Sequence, residues 1–509
     1  MAASRAPTTT SLHDEPGAVA VARSIAEGRL TAEGAVRACL ARIEAIDRHG
    51  PRLGSVIEIN PDAIAIAREL DRERATARAR GPLHGVPVLV KDNIATGDRM
   101  STSAGSLVLD GVRAPRDAHV VKRLRDAGAV IVAKTNLSEW ANIRSTRSVS
   151  GWSARGGVTR NPYALDRSTS GSSSGTAAAL AAGLAPLGVG TETDGSIVSP
   201  ASICGLVGLK PTVGRMSRDG IVPIAHSQDT PGPMTRSVAD AALLYAVMSG
   251  RDDADGATSA APVDLAPGTS IALPDDALRG ARLGVARAFF TGFDELDGLI
   301  EQAIVVMKRL GAEIVDPVDL ALPTYSDAEL RVLLYELKAD LPKYLAEFAP
   351  GAKVKTLADV IAFNRSHRDV EMPWFGQELF ERAEALGGLD AKEYLDSLAE
   401  CRKGARDDGL DRVIKANRLD GVIAPTGAPA WLIDPVNGDH PGASFSSPAA
   451  VAGFPHLTVP AGFVRGLPIG LSFVGPAWSE ARLLAFGQAF EKATAHRRAP
   501  LFAKRTTPG

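Results

Sequence analysis

The chain has 509 residues, of which 45% are hydrophobic and 23% charged, and its formal net charge is −2 at pH 7. This charge excludes a strongly basic nucleic-acid-binding protein, and no apolar run is long enough to span a membrane. Three widely spaced cysteines favour neither a disulfide framework nor a cysteine zinc site: Cys39, Cys204 and Cys401. We therefore expect a cytoplasmic protein without metal, cofactor, membrane or nucleic-acid partners.

The predicted elements of the first half alternate between helices and short apolar strands, as in a sheet covered by helices. Residues 1–14 are rich in Thr and Ser and are predicted to be disordered. The predicted helices cover residues 31–46, 62–79, 117–127, 176–184 and 237–250, and the predicted strands cover residues 85–90 and 129–133. A lysine directly follows each of these strands, Lys91 and Lys134. Residues 213–235 contain three prolines and are predicted to be irregular.

The second half returns to the same alternation around a long helical region. Residues 251–280 are predicted to form a surface loop, and residues 324–419 an inserted helical layer. The remaining predicted strands cover residues 282–286, 312–315, 421–424, 456–460 and 467–474, with helices over residues 295–310 and 479–494. Strands on either side of the helical region need one another to complete a sheet. We predict one α/β domain over residues 15–500, with a central mixed sheet, helices on both faces and a core at about residues 84–250.

Residues 166–212 carry the densest chemical signal in the chain. They contain two serine-bearing glycine turns, residues 171–175 (GSSSG) and residues 194–196 (DGS), with a small-residue helix between them. The first turn could be a linker, a phosphate cradle or a tight packing turn, although the P-loop lysine is missing. The second is not a G-x-S-x-G nucleophile elbow, and the chain has no HExxH or CxxC metal motif.

A nucleophilic serine in this stretch needs a base. His84, His119 and His226 lie nearest in sequence, and each could equally be structural. A lysine base must be neutral part of the time, so burial must lower its pKa by roughly 3 units, about 4 kcal/mol of differential solvation. Lys91, which ends an apolar strand, is the best-placed lysine, although a strand-end lysine can also reach solvent.

Taken together, the motifs resemble the amidase signature family of serine hydrolases over nearly the whole chain. The matching segments are GVPVLVKDN at residues 85–93, AKTNLSEWAN at 133–142, TSGSSSG at 169–175, GTETDGSIVSPASICGLVGLKPT at 190–212, SQDTPGPMTRSVADAA at 227–242, VAGFPHLTVPAG at 451–462 and GLPIGLSFVG at 466–475. Such a combination is highly specific, since each segment is uncommon alone and all occur in one order.

The resemblance implies a Ser–Ser–Lys catalytic triad. Ser196 matches the nucleophile, Ser172 the bridging serine after a cis peptide bond, and Lys91 the base. It also implies an oxyanion hole built from backbone N–H groups, each worth roughly 3–4 kcal/mol in the tetrahedral state. The residues that match these donors are Thr193, Asp194, Gly195 and Ser196.

The substrate is implied less directly. Many family members have Gly-Gly before the nucleophile and Arg two residues after it, whereas this chain has Asp194-Gly195 and Val198. This departure argues against the glutamine-amidase component of a tRNA-dependent amidotransferase. The surrounding sequence looks most like bacterial peptide amidases, which remove the C-terminal amide of peptides as ammonia; a general aryl or fatty amidase is the alternative. We expect a monomer or homodimer, with four aromatic candidates for substrate contact: Trp140, Trp374, Phe375 and Trp431.

Overall fold

The computed structural model describes residues 16–262 and 269–506. The predicted disordered segment 1–14 and part of the predicted 251–280 loop lie outside these residues. None of the helices within the described ranges is both long and apolar enough to cross a membrane.

Eleven strands of the described residues form one mixed sheet, as predicted for an α/β fold. With the two strands outside this sheet, the described residues contain thirteen strands. These are β1 (Val56–Ile59), β2 (Pro87–Lys91), β3 (Val130–Thr135), β4 (Trp152–Ser153), β5 (Gly157–Val158), β6 (Leu187–Glu192), β7 (Val207–Lys210), β8 (Thr230–Thr235), β9 (Arg282–Val285), β10 (Glu313–Val315), β11 (Gly421–Pro425), β12 (His456–Val464) and β13 (Leu467–Val474). Their order is β1-β3-β2-β6-β8-β7-β12-β13-β11-β9-β10, and β4 pairs with β5 in a separate hairpin. Strands from both halves of the chain thus join in one sheet, which confirms the single α/β domain.

Helices cover the sheet and fill the region between β10 and β11. They are α1 (Ala18–Ala26), α2 (Ala32–Arg42), α3 (Ala63–Ala75), α4 (His119–Asp126), α5 (Ser174–Ala181), α6 (Val198–Ile203), α7 (Val238–Met248), α8 (Asp294–Arg309), α9 (Ser326–Phe348), α10 (Leu357–Ser366), α11 (Arg368–Glu371), α12 (Glu378–Ala385), α13 (Lys392–Arg402), α14 (Asp411–Asn417), α15 (Ser446–Ala452) and α16 (Glu480–Thr494). Helices α9 to α14 form the predicted helical layer. Two helix starts follow the sequence rules closely, since the side chains of Thr31 and Ser237 cap α2 and α7.

The segment predicted to be irregular contains a strand that the sequence rules missed. Strand β8 includes Pro231 and Pro233, and it pairs with β6 over its whole length. On its other side, β7 reaches only Met234 and Thr235. Pro231 and Pro233 thus lie outside the ladder between β7 and β8, so their missing N–H groups interrupt no hydrogen bonds there. This is how a strand inside a sheet tolerates two prolines.

Two predicted helix ends were also wrong. Helix α3 stops at Ala75, four residues before the predicted end, and α4 starts without a side-chain cap. Asp117, at which this helix was predicted to begin, is a residue type that commonly caps helices, but its carboxylate accepts instead from Gly97 N at 2.7 Å. A tertiary partner has replaced the local hydrogen bond on which the prediction relied.

Candidate active site

Neighbouring parallel strands bring two chemical segments together. Strand β2 pairs in parallel with β6, with Val90 opposite Val189. Lys91 ends β2, and residues 193–196 directly follow β6. Because parallel strands end at the same edge of a sheet, Lys91 and the serine of the second glycine turn are carried to the same side.

Lys91 is completely buried, and its contacts are to uncharged groups. Its Nζ donates to Ser172 Oγ at 2.8 Å, to Thr191 Oγ1 at 2.8 Å and to Thr191 O at 3.3 Å. Burial lowers the pKa of Lys91 to about 7, although the negative charges of Asp229 and Glu192 act in the opposite direction. A lysine in this state exchanges a proton near neutral pH, as a general base must.

The turn that carries Ser172 is fixed by close backbone contacts. The Gly171–Ser172 peptide bond is cis, as the family resemblance implied. Ser172 O accepts from Ser138 N at 3.1 Å, and a Cβ on Gly171 would lie 2.1 Å from Ser138 Oγ. A side chain at position 171 would therefore have to displace the Ser138 hydroxyl, which favours glycine before Ser172.

A backbone hydrogen bond joins the two serine turns, since Ser173 N donates to Ser196 O at 3.2 Å. The hydroxyl of Ser173 turns away from this contact, donating to Thr191 O at 3.1 Å. Ser196 itself is 8% exposed, whereas Ser172 is fully buried. Ser196 is thus more accessible than Ser172, as expected for a nucleophile that meets a substrate.

The backbone around Ser196 leaves a set of N–H groups free. Glu192 Oε2 accepts from the N–H groups of Ile197 at 2.7 Å and Val198 at 3.0 Å. By contrast, the N–H groups of residues 193–196 have no acceptor among the described residues. Gly195 has a φ of +80°, which allows this segment to turn sharply before α6. Unpaired donors in a turn can bind the oxyanion of a tetrahedral intermediate.

A cavity of about 130 Å³ adjoins these two turns. Its lining includes Gly171, Asp194, Gly195, Ser199 and Ser446. The space is small and lined by small residues, which suits a carboxamide group better than a bulky side chain.

The four aromatic residues named from sequence lie elsewhere than this cavity lining. Trp140 is buried with its ring 5.7 Å from that of Phe380, and Phe375 packs against Trp152 at 5.2 Å. Trp431 donates through Nε1 to Asp439 at 2.9 Å, and Trp374 is exposed. Three of them pack within the fold, as most large aromatics do.

The three histidines considered as alternative bases are engaged away from the serines. His84 Nε2 lies 2.9 Å from Leu70 O, His119 lies 3.3 Å from Asp252, and His226 lies 2.7 Å from Asp340. Lys91 is the candidate base that contacts Ser172. Among the described residues, no group of three or more His, Cys, Asp or Glu side chains could hold a metal ion.

Two residues that the sequence reasoning did not select complete the site. Thr191 accepts from Lys91 Nζ and also from Asn93 Nδ2 at 2.9 Å. Asp229 accepts from Thr193 Oγ1 at 2.6 Å, and burial raises the pKa of Asp229 to about 6. Both lie inside the quoted family motifs, so their position in those motifs was the available signal.

Comparison with known proteins identifies the family of this chain. The Amidase family profile matches residues 34–484. The chain belongs to the amidase family. It is a serine-type amide hydrolase that acts on amide C–N bonds.

Three relatives show how far the likeness of this amidase extends. A probable amidase of Arabidopsis thaliana is 41% identical over 489 residues, covering 94% of this chain and 89% of the relative. The crystal structure of native peptide amidase from Stenotrophomonas maltophilia has a TM-score of 0.90 and 50% identity, covering 96% of this chain and 99% of that one. A glutamyl-tRNA(Gln) amidotransferase subunit of Chloroflexus aurantiacus is 37% identical over 491 residues, covering 92% of this chain and 95% of the relative.

Proposed function

We propose that this amidase removes the C-terminal carboxamide of peptides as ammonia, through an acyl-enzyme on Ser196. The observation that carries the catalytic part is the 2.8 Å contact between Lys91 Nζ and Ser172 Oγ, made by a fully buried lysine. The 50% identity to a peptide amidase along 96% of the chain supports the substrate class.

In the proposed acylation step, neutral Lys91 takes a proton from Ser172, which in turn takes one from Ser196. The freed Ser196 oxygen attacks the carboxamide carbon and forms a tetrahedral anion. The N–H groups of residues 193–196 stabilise the negative charge, which develops only at this point.

Collapse of the tetrahedral anion breaks the C–N bond. Ser172 donates its proton to the leaving nitrogen and is reprotonated by Lys91, so ammonia departs as a neutral molecule. Deacylation uses the same groups in the same order. Ser172 and Lys91 accept a proton from water, water attacks the ester carbon, and Ser196 regains its proton as the peptide acid leaves.

We further propose that the enzyme works in the cytoplasm as a monomer or homodimer, without nucleic acid. Cys204 and Cys401 are buried free thiols, which is typical of a reducing compartment. Its net charge of −2 offers little general attraction to nucleic acid.

Ammonia release from a panel of amides tests the substrate class. The panel contains peptide amides, amino-acid amides, aryl amides, fatty amides and glutamine, each assayed with the wild type and with Ser196→Ala. We expect the highest kcat/KM with peptide amides and at least about a 10⁴-fold loss in Ser196→Ala.

Each other outcome of the panel has a definite meaning. Better turnover of aryl or fatty amides would replace the peptide assignment with that of a general amidase. Glutamine as the preferred substrate would favour an amidotransferase role. Substantial activity in a folded Ser196→Ala variant would exclude Ser196 as the nucleophile.

A further inference from the structure

A buried carboxyl group from the helical layer reaches the segment that ends in Ser196. Glu329 lies on α9 and is 7% exposed. Its Oε1 accepts from Gln228 Nε2 at 2.9 Å, and the same nitrogen donates to Thr193 O at 3.2 Å. Glu329 therefore holds, through Gln228, the peptide unit that carries the Asp194 N–H of the proposed oxyanion hole.

Glu329 is also coupled electrostatically to this segment, through the charge of Asp194. Asp194 Oδ2 accepts from Ser447 Oγ at 2.5 Å, whereas its buried Oδ1 has no hydrogen-bond partner among the described residues. Two buried carboxyl groups whose charges repel each other are more stable when one of them carries a proton. Burial and the charge of Asp194 raise the pKa of Glu329 to about 8, so Glu329 is the protonated member of the pair at neutral pH.

We propose that Glu329 is a positioning residue for the amide hydrolysis, and this rests on the oxyanion-hole role proposed above. As a neutral acid it accepts from Gln228, whose amide also holds Thr193 O, and it thereby orients the N–H groups of residues 193–196. Loss of its proton places a second negative charge beside the site where the tetrahedral anion forms, which raises the barrier.

The other ionisable groups that interact with this pair are Tyr325, Cys401, Lys210 and Glu192, whose pKa is raised by burial. Tyr325 precedes α9, and burial raises its pKa well above neutrality; burial also raises the pKa of Cys401, on α13, to about 12. Asp194 itself has a raised pKa because of burial. Lys210, on β7, acts on Asp194, and burial lowers the pKa of Lys210 to about 8. A fall in activity near pH 8 could therefore come from Glu329 or from Lys210, and a variant must separate them.

Replacing Glu329 with glutamine separates the two sources. Glutamine keeps the acceptor for Gln228 but does not titrate. With the best amide from the panel, we expect Glu329→Gln to keep kcat at pH 7 within about threefold, and to lose the fall in kcat above about pH 8. Glu329→Ala should lower kcat about 10- to 100-fold with KM nearly unchanged, because the oxyanion donors are misplaced.

The matched control is Glu336, a fully buried glutamate on the same helix. It accepts from Ser227 N at 2.8 Å and Tyr394 OH at 2.8 Å. Glu336→Gln should retain the wild-type pH profile, which would show that the change is specific to Glu329. Circular dichroism and thermal unfolding establish that each variant is folded.

Several results would overturn the proposal. One is an unchanged alkaline fall in Glu329→Gln, which would assign the titration to Lys210. Another is a folded Glu329→Gln variant whose kcat is as low as that of Glu329→Ala. A third is a Glu329→Ala variant in which KM changes and kcat does not. If Glu329→Ala does not fold, the pH profile of Glu329→Gln still decides. Failure of the proposed function itself would appear separately, as activity that survives in Ser196→Ala.

Discussion

Two lysines end neighbouring strands of the sheet, and their sequence settings look alike. Lys91 is the last residue of β2 and Lys134 the penultimate residue of β3, and the strands run in parallel with Val90 opposite Lys134. Both side chains are fully buried. Burial lowers the pKa of Lys91 to about 7 and that of Lys134 to about 8.

Their surroundings differ in one decisive respect. Lys134 Nζ donates to Ile94 O at 2.5 Å and to Thr102 Oγ1 at 2.8 Å, and Asp92 is the main source of compensating charge. Lys91 instead contacts Ser172, whose turn is bonded to that of Ser196. Burial alone thus makes a lysine easier to deprotonate, and its hydrogen-bond partner decides whether that property can be used.

The largest predicted effect is the loss of Lys91. We expect Lys91→Met to lower kcat about 10³- to 10⁴-fold, because it removes the base from the proposed relay. The folded state should be at least as stable as the wild type at pH 7. An unfolded lysine stays protonated up to about pH 10.5, whereas Lys91 releases its proton near pH 7 in the folded state. Its contribution to stability is therefore unfavourable at pH 7 and becomes less so as the pH rises.

Lys134→Met is the matched control for this prediction. It leaves Asp92 buried without its main compensating charge, so we expect the free energy of unfolding to fall by about 2–4 kcal/mol. Activity per folded molecule should stay within about threefold of the wild type. Urea unfolding and steady-state kinetics measure both variants. The distinction between the lysines would be wrong if Lys134→Met lost as much kcat as Lys91→Met while still folded.

A smaller effect is predicted for Ser172, the proposed bridging serine. Ser172→Ala should lower kcat about 10²- to 10³-fold, since Lys91 would then need a water molecule to reach Ser196. Ser174→Ala is the control, because that buried hydroxyl donates to Ser170 O at 2.7 Å. Kinetics with a peptide amide compare the two. Equal losses in both variants would mean that the turn depends on its packing rather than on a proton relay.

The mildest test changes only the pH. Because burial lowers the pKa of Lys91 to about 7 and the base must be neutral, kcat/KM should fall tenfold per pH unit below about pH 7. Lys134→Met should show the same acid limb as the wild type. If the acid limb shifts in Lys134→Met, or begins near pH 4 in the wild type, the titrating group is not Lys91.

Local sequence rules anticipated much of the fold where local interactions decide it. Thr31 and Ser237 cap their helices because a hydroxyl near a free helix terminus needs no distant partner. The same rules failed at Asp117 and in β8, where Gly97 and the limited reach of β7 determine the outcome. These partners are distant in the chain and leave no local signal.

For the site, the sequence by itself determined the chemical groups. It supplied the two glycine-serine turns, the strand-end lysines and the family motifs in order. Tertiary structure alone decided which lysine meets which serine, because β2 and β6 are neighbours in the sheet and 81 residues separate Lys91 from Ser172. It also brought Glu329 from the helical layer to Gln228, which bonds Thr193 O. Burial then lowers the pKa of Lys91 and raises the pKa of Glu329, because a charge is costly wherever water is excluded.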